Sequence, residues 1–178
     1  MLPNVYLAGP EVFYPDARAH GRRMQAVCAA AGFAGLFPLD AELPATPQGQ
    51  SLAIYQANRQ LIDRADAVVA NLRDFRGFEP DSGTVWEVSY ALARGKPVVG
   101  YCPTPATIVQ RVQASPYGRL FDAQCAVEDF GLPLNLMLAH SLTAIAYGSE
   151  TDFLGLQAAL AQLRVLRALG AGAAALEG

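Results

Sequence analysis

Three short apolar runs, "NVYLAG" (4–9), "DAVVANL" (66–72) and "KPVVGYC" (96–102), limit most tightly what this chain can fold into. A strand with one wet face alternates apolar and polar residues. These runs are close to continuously apolar and two of them are rich in valine, so they read as strands covered on both faces. Gly9-Pro10 stops the first at a turn. Between the strands lie stretches of helical composition. Residues 17–32 place Met24, Val27 and Cys28 on one face and end at Gly32, a C-cap. Residues 51–65 carry Leu52, Tyr55, Arg59 and Ile62 along one side, and 84–95 end at Gly95. Further strands are expected at 33–40 and 142–148, a short helix at 135–141 and a closing helix at 151–169. Residues 41–50 and 73–83 read as loops, and 103–134 as irregular. Strands alternating with helices make an α/β protein: a Rossmann-like, doubly wound sheet of about five parallel strands. It forms one domain over 1–170, followed by a frayed tail at 171–178.

In open sheets of this kind a ligand sits beyond the carboxyl ends of the strands, near the switch in strand order. Loops 9–16, 40–50 and 73–83 follow such ends and are expected to converge on one crevice. The 178 residues, 52 % of them hydrophobic, suffice for one well-filled core. Thirteen Lys+Arg against sixteen Asp+Glu give a net charge of −3, with no basic run, which excludes a binder of nucleic-acid polymers. No apolar run approaches the ~20 residues of a membrane span, and no signal peptide is legible at the start. Cys28, Cys102 and Cys125 are scattered, and neither His20 nor His140 has ligand-like spacing. The expectation is a reducing, cytoplasmic setting with no metal site.

The crevice loops carry the chemistry. "DSGTVWE" (81–87) holds two carboxylates at the start of a helix. Thr84 with Glu87 fits a capping box, a purely structural use of both residues. In the functional alternative, Glu87 lies in the first helical turn, where the macrodipole keeps it ionised as a nucleophile. A second carboxyl nearby would then handle protons, the minimum for breaking a glycosidic bond. "AGPEVF" (8–13) is no Gly-x-Gly-x-x-Gly, and Pro10 removes a backbone donor, so a dinucleotide lacks its phosphate cradle. No P-loop is present either. Phe13 and Tyr14 could stack on a flat base or simply pack their loop.

Taken in order, "VYLAGPEVFYPD", "RQLIDRADAVVANLRDFRGFEPDSGTVWEVSYAL" and "GLPLNLML" resemble the nucleoside 2-deoxyribosyltransferase family over roughly residues 5–138. The Gly-x-Glu-Pro-Asp-x-Gly-Thr-x-x-Glu stretch (77–87) is the most specific part. The resemblance implies a flavodoxin-like fold and a cofactor-free, two-step exchange of the base on a 2′-deoxynucleoside. Glu87 falls on the family's nucleophile, which forms a deoxyribosyl ester with the β-configuration retained overall. Tyr6 falls on the tyrosine that steers it. Asp81 falls on a pocket aspartate for base protonation or substrate hydrogen bonding, and Phe13 on the base-stacking aromatic. Gly83 belongs to the same motif. Asn58 stands where some relatives carry aspartate; an amide both donates and accepts, which bears on base preference. Asp40 and Glu42 are lesser candidates for base or sugar contacts.

The implied partners are 2′-deoxynucleosides and free nucleobases. An N-glycosidase acting on deoxynucleosides or their monophosphates is the near alternative, and a catalytically silent nucleotide sensor the distant one. Asn135 falls on an asparagine that reaches a neighbouring subunit's site, which implies a homodimer or higher homo-oligomer with shared sites. Leu136, Met137 and Leu138 beside it either line that interface or pack within their own domain.

Overall fold

The computed structural model describes residues 2–40, 47–118 and 125–176. Five parallel strands form one sheet: β1 (Asn4–Ala8), β2 (Ala34–Leu36), β3 (Ala67–Asn71), β4 (Val98–Cys102) and β5 (Ala144–Tyr147), in the order β2-β1-β3-β4-β5. Helices cover both faces, as the continuous apolar strands require. Alternate residues of one strand enter opposite cores. Val5 and Leu7 join Val69, Met24, Leu160 and Leu163 beneath α1 (Ala17–Ala30) and α6 (Leu154–Leu176). Tyr6 and Ala8 join Val68, Ile62, Val88 and Leu138 beneath α2 (Pro47–Arg64), α3 (Ser82–Ala93) and α5 (Leu136–Ser141).

Strand order reverses between β1 and β3, so the loops leaving those strands diverge and open the crevice there. Short 3-10 turns, Pro10–Phe13 and Pro38–Asp40, carry the chain away from β1 and β2.

Several boundaries differ from the sequence expectation. The region read as irregular contains α4 (Ile108–Ala114), opened by a capping box in which Thr107 and Gln110 satisfy each other's backbone N–H groups. At seven residues it is too short to announce itself by periodicity. Helix α2 starts at Pro47 rather than at residue 51, and α6 runs to Leu176 rather than to 169. The expected apolar side of α2 also divides. Ile62 is buried, whereas Leu52 and Tyr55 are exposed, and Tyr55 packs on Trp86 instead of on the sheet. No helix among the described residues is long and apolar enough to cross a membrane.

Candidate active site

The capping question resolves at Asp81. Its carboxylate is the N-cap of α3, with Oδ2 accepting from the Thr84 backbone N–H at 2.9 Å and from the Thr84 hydroxyl at 3.1 Å. Thr84 therefore stands at the third helical position, not at the cap, and the expected Thr84–Glu87 capping box does not form. Aspartate is among the strongest N-cap residues, so placing the helix start at Asp81 is locally favourable. Gly83 leaves room for this cap, since a Cβ there would come 3.1 Å from Asp81 Oδ2.

Starting the helix earlier moves Glu87 into its second turn, beyond the strongest part of the dipole field. Its surroundings are set by tertiary contacts instead. Tyr6, fully buried in the middle of β1, donates its hydroxyl to Glu87 Oε1 at 2.6 Å. Asn58, on α2, donates its amide to the same oxygen at 3.1 Å. Burial is the largest influence on the carboxyl and pushes its pKa up to about 7, with the Asp81 charge adding to the rise and the two hydrogen bonds opposing it. The expectation of a dipole-held, permanently ionised carboxylate is thus corrected: desolvation outweighs the helix end. The Tyr6 phenol is held well above its usual range, first by burial and then by the Glu87 charge, so it stays a donor.

Two further features concern access. Among the described residues Glu87 Oε2 takes no hydrogen bond, so one oxygen is fixed and the other is uncommitted, on a residue that is partly exposed. Asn58 Oδ1 is buried with no hydrogen-bond partner among the described residues, an acceptor waiting for a donor.

The other sequence candidates are distributed unevenly. Phe13 ends the turn after β1 and is 53 % exposed. It stacks on Phe75 of the loop after β3, with centroids 5.2 Å apart and planes at 19°. Asn135 N-caps α5 through Oδ1, which accepts from the Met137 N–H at 3.0 Å, while its amide donates to Glu128 Oε1 at 2.6 Å. It lines a cavity of about 440 Å³ with Glu79, Val85 and Met137. Among the described residues its side-chain hydrogen bonds go to Glu128 and Met137 and not to Glu87. Leu138 packs inward and Met137 is 73 % exposed, so the apolar triplet splits between both readings. Asp40 Oδ2 accepts from the Phe37 N–H of its own turn at 3.0 Å and from the Gln25 amide of α1 at 2.8 Å. Glu42 lies outside the described residues.

Sequence reasoning passed over a second buried carboxylate. Glu11, in the "AGPEVF" loop, is 3 % exposed. Its Oε1 accepts from the Asn71 amide at 2.7 Å and from the Tyr101 hydroxyl at 3.2 Å. Asn71 also donates to Glu150, which pairs with Arg73. A charged residue inside an otherwise apolar stretch next to Gly9 was the available signal.

A parallel sheet with helices on both faces and a Tyr–Glu–Asn constellation beside its switch point defines the class: a doubly wound α/β protein. Comparison with known proteins narrows it. The family model described as nucleoside 2-deoxyribosyltransferase matches residues 5–137, and the chain belongs to that family. A 2-deoxyribosyltransferase structure from Leishmania mexicana is 30 % identical, covers 84 % of this chain and 93 % of its own, and superposes with a TM-score of 0.67. A 2-deoxyribosyltransferase from Bacillus psychrosaccharolyticus, 21 % identical over 84 % of this chain and 88 % of its own, shares the fold at a TM-score of 0.52. An uncharacterized Schizosaccharomyces pombe protein is 37 % identical over 105 residues, 56 % of this chain; that match spans only 50 % of the yeast protein.

Proposed function

We propose that the protein transfers a 2-deoxyribosyl group between nucleobases through a covalent ester on Glu87, with retention of configuration. The observation that carries this reading is the asymmetry of the Glu87 carboxylate. Tyr6 and Asn58 both hold Oε1. Oε2 is left as the attacking atom.

In the first half-reaction Oε2 attacks C1′, the C1′–N bond breaks, and the base leaves with the electron pair and takes up a proton. Asp81 supplies that proton or a substrate hydrogen bond, while its Oδ2 continues to cap α3. As the ester forms, Oε1 becomes the ester carbonyl, still held by both donors. A nitrogen of the second base then attacks C1′ from the face the first one left, and Glu87 departs as carboxylate. Desolvation suits this cycle, because a carboxyl with a pKa near 7 is both a better nucleophile and a poorer leaving group than a solvated one, so its ester persists long enough to be intercepted. Asn58 Oδ1 receives a donor from the substrate. Phe13 and Phe75 offer the stacking surface for the base.

Incubating the protein with deoxyinosine, with and without free adenine, tests the reading. Deoxyadenosine formed when adenine is present supports transfer; hypoxanthine released at the same high rate without an acceptor assigns the protein to the hydrolases. No turnover of any deoxynucleoside, with binding intact, favours a sensor. Inosine should react far more slowly than deoxyinosine, because a ribose 2′-hydroxyl disfavours the incipient oxocarbenium ion.

We also read the site as shared in a homodimer, with the exposed Met137 at the contact and Asn135 reaching the partner's crevice. Mixed Glu87→Ala and Asn135→Ala chains should then regain activity on subunit exchange. Demonstrated exchange without recovery confines Asn135 to its own chain. The three free thiols fit a reducing, cytoplasmic setting.

A further inference from the structure

Among the cations near the crevice, Arg76 stands apart. Arg73 pairs with Glu150. Arg111 pairs with Asp74 and donates to the carbonyls of Ala106, Pro133 and Phe78. Arg59 lies against the rings of Tyr55 and Tyr90 on the outer side of α2 and α3. The Arg76 guanidinium has no hydrogen-bond or ion-pair acceptor among the described residues. It lies against two rings, its carbon 5.0 Å from the Phe13 centroid and 4.6 Å from the Phe75 centroid.

The backbone is bent to achieve this. Arg76 sits at φ 54°, in the left-handed region that a non-glycine residue adopts at a cost, and Gly77 follows at φ 154°. The Phe75 N–H closes the turn onto the Glu79 carbonyl at 2.9 Å. Phe13 and Phe75 come from the loops after β1 and β3, the two strands that flank the switch point. The side chain that the strained turn presents is therefore a flat fork of N–H donors, fixed beside an aromatic surface where a ligand belongs. Strain of this kind is kept where the surroundings over-determine it, commonly at ligand clamps.

We propose that Arg76 is a specificity-determining residue that reads the O6/N7 edge of a purine stacked on Phe13 and Phe75, so that 6-oxopurines are preferred over 6-aminopurines. This rests on the reading of the crevice as a nucleobase site. A guanidinium matches two neighbouring acceptors, O6 and N7 of hypoxanthine or guanine, with two parallel hydrogen bonds. Adenine offers N7 as an acceptor but turns an amino donor toward the same fork. Lysine presents a point charge and cannot make that paired contact.

The test compares wild type with Arg76→Gln and Arg76→Lys in two measurements. The first is the ratio of kcat/KM for deoxyinosine to that for deoxyadenosine. The second is the ratio of Kd values for free hypoxanthine and free adenine by calorimetry, which needs no turnover. Both ratios should favour the oxopurine in wild type and collapse by about tenfold or more in Arg76→Gln, with Arg76→Lys close to it. Equal losses on both bases with an unchanged ratio would make Arg76 a loop-packing residue and overturn the assignment. A full ratio in Arg76→Lys would overturn the paired readout. A loss confined to deoxyinosine 5′-monophosphate, with deoxyinosine unaffected, would move the guanidinium to a phosphate and equally overturn it. Absence of turnover with all deoxynucleosides defeats the transferase reading alone; the base-binding ratio still decides this one.

Discussion

Glu87 and Glu11 are two desolvated carboxyl groups held by a tyrosine of the sheet, and their immediate chemistry is almost the same. Each has one oxygen, Oε1, that accepts from a tyrosine hydroxyl and an asparagine amide: Tyr6 and Asn58 for Glu87, Tyr101 and Asn71 for Glu11. Burial raises the pKa of both. What separates them is the side of the sheet and the fate of the second oxygen. Glu11 lies on the α1–α6 side, where a Cβ on Gly9 would come within 2.0 Å of its Oε2, so this oxygen is sealed against backbone. Glu87 lies on the α2–α3 side, is partly exposed, and takes no hydrogen bond on Oε2 among the described residues. On the proposed reading, a hydrogen-bonded, desolvated carboxylate is a tie between loops when enclosed and becomes a nucleophile when one oxygen is uncommitted. Access, more than the donor set, distinguishes the two.

The largest expected effect breaks the pair at its reactive member. Glu87→Gln keeps both hydrogen bonds to Oε1 but removes the proposed nucleophile, so the proposed deoxyribosyl exchange should fall on the order of a thousandfold or more. Near-normal turnover would return Glu87 to a structural role. The same variant should gain stability at alkaline pH. A carboxyl whose folded pKa is raised from 4.5 to about 7 binds its proton more tightly when folded, so its contribution is present below pH 4.5 and is lost as pH rises through 7. Glutamine has no charge to bury. Unfolding midpoints in denaturant should therefore be higher for Glu87→Gln than for wild type at pH 8, and about level at pH 4.5.

Tyr6→Phe sharpens the comparison by removing one donor from the reactive carboxylate. A hydrogen bond to a charged acceptor contributes about 1.5–3 kcal/mol, so kcat/KM should drop roughly ten- to a hundredfold. Wild-type kcat/KM should rise with pH through about 7 as Glu87 ionises. Because the Tyr6 hydrogen bond lowers that pKa, the variant's acid limb should move to higher pH. A pH profile that stays in place would mean that Tyr6 does not hold the ionised form.

At the sealed member the expected effects are on stability. Gly9→Ala forces Glu11 off its site and should cost about 1–3 kcal/mol of unfolding free energy, read from denaturant midpoints. Glu11→Gln preserves the volume and both donors, so exchange activity should stay within about twofold. Its stability should fall less than that of wild type as pH rises above 4.5, since the folded state no longer holds a carboxyl of raised pKa. A large loss of activity in Glu11→Gln, with the fold intact, would mean that the two carboxylates are coupled and not merely alike.

Much of this was legible in the chain itself. Three near-continuous apolar runs separated by helical stretches point to a parallel sheet covered on both faces, because that arrangement hides both sides of a strand. Tyr6, Asn58 and Glu87 were all candidates before any coordinates. The local chemistry around them was less legible. "DSGTVWE" contains two competing helix starts, and the choice of Asp81 over Thr84 shifted the helix by one turn's worth of residues and took Glu87 out of the dipole's strongest field. Likewise the stripe from Leu52 to Ile62 looked like one buried side, and Tyr55 found Trp86 instead of the sheet.

By sequence alone, periodicity determined the alternation of strands and helices, and the resemblance to the family singled out Asp81 and Glu87 among the acidic residues. The tertiary structure decided what those acids are. The protonation of Glu87 depends on Tyr6 and Asn58, 81 and 29 residues away, and on how much water the packed helices exclude. Glu11 is quenched by Asn71 and Tyr101, 60 and 90 residues away. Desolvation and long-range hydrogen bonding are properties of enclosed space, and a linear pattern carries no measure of enclosure.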